Sequence, residues 1–153
     1  MKVLTVSPPH TYAEWVSVLD MLKNKTNDED TLQAMLSGTV EWQSGVAERF
    51  SKKLIDTINY RMNSATDKFQ KEISRTQGQE RAIVQALLAL RKELSFLAKA
   101  IDLPALPDKE RLHYRQLVIE QADNIQSSLE DSAKKDRSGK LASIVRNNKV
   151  NSL

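Results

Sequence analysis

The sequence predicts an all-α fold: three long antiparallel helices forming a coiled-coil-like bundle, capped by two short N-terminal helices and followed by a basic C-terminal tail. Three observations predict it. Apolar residues recur in steps of three and four along nearly the whole chain. Glycine and proline number only four each, which is low for a loop-rich or β-rich protein. Of 153 positions, 40% are apolar and 28% charged, which places the chain among globular proteins. The chain reads as one helical domain over residues 1–133, divided into a cap (1–42) and a three-helix bundle (43–133), with a tail over 134–153.

The chain opens on Lys2–Val6, a short β-branched run that reads as an extended arm or a lone edge strand with nothing to pair with. Pro8 and Pro9 end it. Thr11 and Glu14 have the spacing of a capping box, and Trp15, Val18, Leu19 and Leu22 follow at helical intervals. Lys23 and Lys25 close this first helix, where its dipole favours cations. Asn27-Asp28-Glu29-Asp30 predicts a second, short helix with Asn27 as its cap and Leu32, Met35 and Leu36 as its apolar face. Gly38 ends it as a C′ residue.

The longest pattern runs from about Thr39 or Ser44 to Thr76. Val46, Phe50, Leu54, Ile58, Met62, Ala65, Phe69 and Ile73 line one stripe. The mean step exceeds 3.5, so the helix is straight or slightly right-handed rather than a strict heptad. Gln77-Gly78-Gln79 breaks it. Ile83, Leu87, Leu90, Leu94, Leu97 and Ile101 then alternate steps of four and three, a heptad seam. Pro104 and Pro107 stop this helix. Asp108 caps the last long helix, whose face reads as Leu112, Val118, Ala122, Ile125 and Leu129. The first long helix, at about 34 residues against 23, overhangs its neighbour by roughly 15 Å. The overhang carries Trp42, Val46 and Phe50, and the two short helices are expected to cover it, putting both tryptophans in the cap.

Charge is uneven. The tail, residues 134–153, holds six basic residues and one acidic, whereas the chain as a whole is +3. A body close to neutral thus carries a basic end. Leu141, Ile144 and Val145 sit at helical spacing inside it, which is unusual for a segment that only solubilises. The tail is therefore the expected partner-binding segment, through Lys134, Lys135, Arg137, Lys140, Leu141, Ile144, Val145, Arg146 and Lys149. Charge would bring it to an anionic partner, and deletion of 138–153 is expected to leave the bundle folded.

Catalytic chemistry finds no support. With no cysteine, disulfides, zinc knuckles and thiol catalysis are excluded. Glu110-x-x-His113 has the spacing of half a di-iron motif, but the second half is missing and the only other histidine is His10. It reads as a surface histidine near a helix start. Ser138-Gly139-Lys140 lacks the earlier glycine of a phosphate loop. Neither a cofactor nor a metal is expected. Lys52, Lys53, Arg61, Lys68, Lys71 and Arg75 on the long helix are candidate phosphate contacts, without interleaved aromatics to stack bases. No apolar leader and no uninterrupted apolar run of spanning length is seen, and a cytoplasmic protein is expected.

The expected function is a non-enzymatic helical interaction protein, an adaptor or subunit of a larger assembly. A protein is its expected partner, and a homo-oligomer is compatible with the helix faces. The alternatives are a nucleic-acid-associated accessory protein using the tail and long-helix lysines, and a membrane-active helical protein such as a pore-forming component.

Overall fold

The computed structural model describes residues 6–43, 45–76, 79–100 and 102–151. The described residues form six helices and no strand: α1 (Tyr12–Lys23), α2 (Asp28–Ser37), α3 (Val46–Thr76), α4 (Glu80–Lys99), α5 (Asp108–Ala133) and α6 (Lys140–Asn147). The predicted all-helical class is the observed one. The arm at Lys2–Thr5, a start at Ser44, the break at Gln77-Gly78 and the last seam residue Ile101 lie outside the described residues. The chain divides into two compact units. One comprises the residues up to Arg61 with Lys99–Val118, and the other Met62–Ala98 with the residues from Ile119 onward.

In the first unit, α1 begins as the sequence predicts. Thr11 Oγ1 accepts the Glu14 N–H at 3.2 Å, and Glu14 Oε1 accepts the N–H groups of Thr11 and His10 at 3.1 Å each. These bonds favour the carboxylate, the His10 N–H first, and hold the Glu14 pKa below its ordinary value. Trp15, Val18, Leu19 and Leu22 are buried. The edge of the Trp15 ring meets Phe50 at 5.2 Å between centroids, and Trp42 packs on Phe50 at 5.3 Å. Trp42 Nε1 donates to the carbonyl of Ala105 at 2.6 Å, which ties the Leu103–Pro107 turn to the same cluster. The two tryptophans thus flank one phenylalanine of α3.

α2 is bounded by Asn27 and Gly38 as expected, but the geometry of both caps differs. Asn27 has φ +50, a left-handed conformation that asparagine tolerates, and its side chain makes no capping bond. The turn is held instead by Thr31, whose hydroxyl donates to the Thr26 carbonyl at 2.9 Å. Gly38 is not a left-handed C′ residue, since its φ is −74. Close approach explains it: a Cβ there would lie 2.6 Å from Trp15 Cζ2 and 2.9 Å from the Pro9 carbonyl oxygen.

α3 starts at Val46 rather than at Thr39. Gly45 has φ +78, through which a right-handed helix does not continue. Thr39 is committed elsewhere: its N–H donates to the Pro9 carbonyl at 3.0 Å and its carbonyl accepts Trp15 Nε1 at 3.3 Å. Phe50, Leu54, Ile58, Met62 and Phe69 of the predicted stripe are buried. So is Arg61, at 1% exposure, which corrects its reading as a phosphate contact. Its guanidinium grips Asp28 with two bonds, at 2.9 and 2.8 Å, and donates to the Leu22 carbonyl at 3.0 Å. A planar fork matched to a carboxylate makes this the strongest polar link between α3 and the α1–α2 turn.

In the second unit the heptad seam of α4 is buried at Ile83, Leu87, Leu90, Leu94 and Leu97. α5 buries Ala122, Ile125, Leu129 and Ala133 here, and Gln121 Nε2 donates to Asn63 Oδ1 of α3 at 3.1 Å. In its first-unit half, α5 corrects one expected position. Leu112 is 66% exposed, and Tyr114 takes the buried place instead. Tyr114, Val118 and Ala122 are four apart and continue the stripe, whereas Leu112 lies off it. Asp108 is the first residue of α5, with its carboxylate against Arg111.

Candidate functional site

The helical spacing of Leu141, Ile144 and Val145 suggests a tail that folds on contact with something, this chain's own helices included, and the described residues show it folded on the chain itself. Residues 140–147 form α6, and Ile144, Val145 and Val150 are buried in the second unit. Two side chains of α5, Gln126 and Asp123, bond to the segment. Gln126, itself buried, accepts the Val150 N–H on Oε1 at 3.0 Å. Its Nε2 donates to the Val145 carbonyl at 3.4 Å and to Glu130 Oε1 at 3.1 Å. Asn151 Nδ2 donates to Asp123 Oδ1 at 2.9 Å.

The one acid of the tail organises its start. Asp136 Oδ2 accepts the Leu141 N–H at 3.1 Å and the Ser138 hydroxyl at 2.8 Å, across the left-handed Gly139. The Leu141 N–H and then the Ser138 hydroxyl hold the Asp136 carboxyl below its ordinary 3.8. Its charge therefore sits at the N-terminus of α6, where the helix dipole favours an anion.

This arrangement splits the nine predicted residues. Ile144 and Val145 are buried and Leu141 is half-buried, so the apolar members are occupied by the chain itself. Lys134, Lys135, Arg137, Lys140, Arg146 and Lys149 are exposed. Deleting the segment would strip three buried aliphatic side chains, each worth about 1.5–3 kcal/mol of burial. A loss of stability, rather than an unchanged fold, is therefore expected on deletion of 138–153.

The charge of the protein follows the same division. The first unit holds eleven basic and eleven acidic residues, and the second twelve basic and nine acidic. The net +3 is therefore all in the unit that contains α6. Lys68 and Lys71 of α3 are exposed in that unit. Arg75 is exposed too, but pairs with Glu72 at 3.4 Å. Lys52 and Lys53 are exposed in the first unit.

Gln126 and Val150 were missed in the sequence, although one signal was present. Gln126 is four residues after Ala122 and three before Leu129, inside the apolar stripe of α5. A glutamine there must find partners or leave its amide unmatched in the core. Arg61 stands likewise seven residues after Leu54 on the stripe of α3.

Other chemistry is sparse. Among the described residues no three His, Cys, Asp or Glu side chains are grouped to hold a metal. His113 is exposed, as expected, beside a groove of about 530 Å³ between α3 and α5 in the first unit, lined also by Ser51 and Glu110. His10 Nδ1 lies 2.8 Å from Thr39 Oγ1, where it helps fix the corner before α1. No described helix is long and apolar enough to cross a membrane. No family model, curated protein or solved structure matches the chain.

Proposed function

We propose that this chain is a non-enzymatic interaction protein, an adaptor or subunit of a larger cytoplasmic assembly, that docks an acidic protein surface through its C-terminal segment. One observation carries the reading. α6 and the residues around it are held by their apolar side and by Gln126, while Lys134, Lys135, Arg137, Lys140, Arg146 and Lys149 stay exposed. Cations on a folded element lose less conformational freedom on docking than cations on a loose tail. They also supply the net positive charge of their unit, whose other residues hold six basic and eight acidic groups, so the positive charge is concentrated on this segment, which favours electrostatic steering.

The scaffold in this reading is the bundle of three long antiparallel helices, α3, α4 and α5, with α1 and α2 as its cap. Short connections favour antiparallel neighbours, and the Gln121–Asn63 bond supports α5 lying beside α3. The Trp15–Phe50–Trp42 cluster supports the cap.

A second reading, a nucleic-acid-associated accessory protein, is favoured by exposed Lys68 and Lys71 in the same unit. Binding to polyglutamate, to a 20-base-pair DNA duplex and to vesicles rich in phosphatidylserine separates the cases. The adaptor reading expects polyglutamate to bind at 0.1 M salt and to weaken about tenfold by 0.5 M, as the Debye length falls below its ~10 Å. Duplex binding tighter than polyglutamate at equal salt favours the second reading. Vesicle binding alone overturns both.

A further inference from the structure

We propose that the first unit also carries a binding site for a small uncharged amphipathic molecule, in the groove between the first halves of α3 and α5. The starting point is Ser51, which is 6% exposed and whose hydroxyl makes no hydrogen bond. Three other hydroxyls of the same helix behave differently. Thr57, Thr66 and Ser74 each donate to the carbonyl four residues back, at 2.8, 2.8 and 3.2 Å. That is what a helical hydroxyl does when nothing else engages it. Ser51 does not, and it lines a groove of about 530 Å³. Sites for small molecules run from about 300 to 1,000 Å³ and combine apolar walls with a few polar groups.

The lining specifies the ligand. Ile55 and Leu117, both half-buried, supply apolar wall. The buried polar atom is a hydroxyl, able both to donate and to accept. Lys52 and Lys109 line the groove, but so do Glu48 and Glu110. Two charges of each sign give neither an anionic nor a cationic head group a net advantage. A neutral molecule with an aliphatic body and one hydroxyl or amide matches all three features. The site lies in the opposite unit from the basic segment, so the docking proposal and this one stand or fall separately.

The probe is 1-hexanol, with hexylammonium and hexanoate as charged counterparts, titrated into the full chain. Nuclear magnetic resonance follows the Ile55 and Leu117 methyl groups and the Ser51 amide. Hexanol is expected to shift these signals saturably and to bind more tightly than either ion. Ser51→Ala, which keeps the packing, is expected to weaken hexanol about three- to tenfold, the loss of one neutral hydrogen bond. Leu117→Gln, at a half-buried wall position, is expected to weaken it as well. Equal affinity in wild type and Ser51→Ala overturns the proposal, because Ser51 is then an ordinary helical hydroxyl. So does the absence of saturable shifts at the groove, or tighter binding of either charged counterpart.

Discussion

Replacing Arg61 by alanine removes its two hydrogen bonds to the Asp28 carboxylate and its bond to the Leu22 carbonyl at once. It leaves the Asp28 carboxylate without this donor, while the Leu22 carbonyl keeps the Lys25 N–H at 3.2 Å. Losing one partner of a fully buried pair costs about 3–5 kcal/mol. Asp28 is still 29% exposed, so water recovers part of its solvation and the lower end applies, about 3 kcal/mol. For a chain of this size 1 kcal/mol moves the midpoint by roughly 2–4 °C, so Tm should fall by about 6–12 °C. Thermal melts followed by tryptophan fluorescence suit the case, because Trp15 and Trp42 both belong to the unit that holds Arg61. Asp28→Asn should cost less alone, and the double variant should cost less than the sum, since each removes what the other left unpaired. Arg61→Lys keeps the charge without the fork and should recover less than half of the loss. An unchanged Tm in Arg61→Ala, or strict additivity with Asp28→Asn, would refute the lock.

Other perturbations test the packing. Leu90→Ala and Leu94→Ala, in the buried seam of α4, should each cost about 2–5 kcal/mol in denaturant melts, whereas Leu112→Ala at an exposed site should stay within about 0.5 kcal/mol. Gly38→Ala forces a methyl group onto the Trp15 ring and should cost about 1–3 kcal/mol with altered tryptophan emission, although its φ suits alanine. Burial pushes the Tyr114 hydroxyl well above its ordinary 10.0. The neutral form is the one that fits, so this contribution is intact below pH 10 and is lost as pH rises above it. Absorbance titration of the three tyrosines should therefore show one that ionises only with alkaline unfolding.

What could be read in advance was local or periodic. The Thr11–Glu14 capping box involves residues three apart, and the α4 seam alternates steps of four and three. Both followed from the chain itself. Pro104 and Pro107 likewise stop α4 by their own chemistry. The misreadings involve partners far along the chain. Arg61 was counted with the exposed cations because its acceptor, Asp28, lies 33 residues earlier. Thr39, the earlier of the two starts the pattern allows for α3, lies outside the helix because the fold uses Thr39 and Trp42 to reach Pro9, Trp15 and Ala105. Leu112 reads as core on hydrophobicity alone, but Tyr114, four residues before Val118, has the phase that faces inward. In the tail, the helical spacing of Leu141, Ile144 and Val145 was visible. That they are covered by this chain depends on Gln126, whose amide gave no sign of its partners 19 and 24 residues later.

The central claim is that the C-terminal segment has two sides, one folded into the second unit and one left free to dock. The most direct test compares two variants in one pair of assays, thermal melting and polyglutamate binding at 0.1 M salt. The first changes Lys134, Lys135, Arg137, Lys140, Arg146 and Lys149 to glutamine. The second is Ile144→Asp. We predict that the glutamine variant melts within about 3 °C of wild type, as exposed substitutions do, yet loses polyglutamate binding. Ile144→Asp should lower Tm by about 5 °C or more, because a buried carboxylate has no partner there. A glutamine variant that binds as wild type does, or an Ile144→Asp variant with an unchanged Tm, would contradict the account.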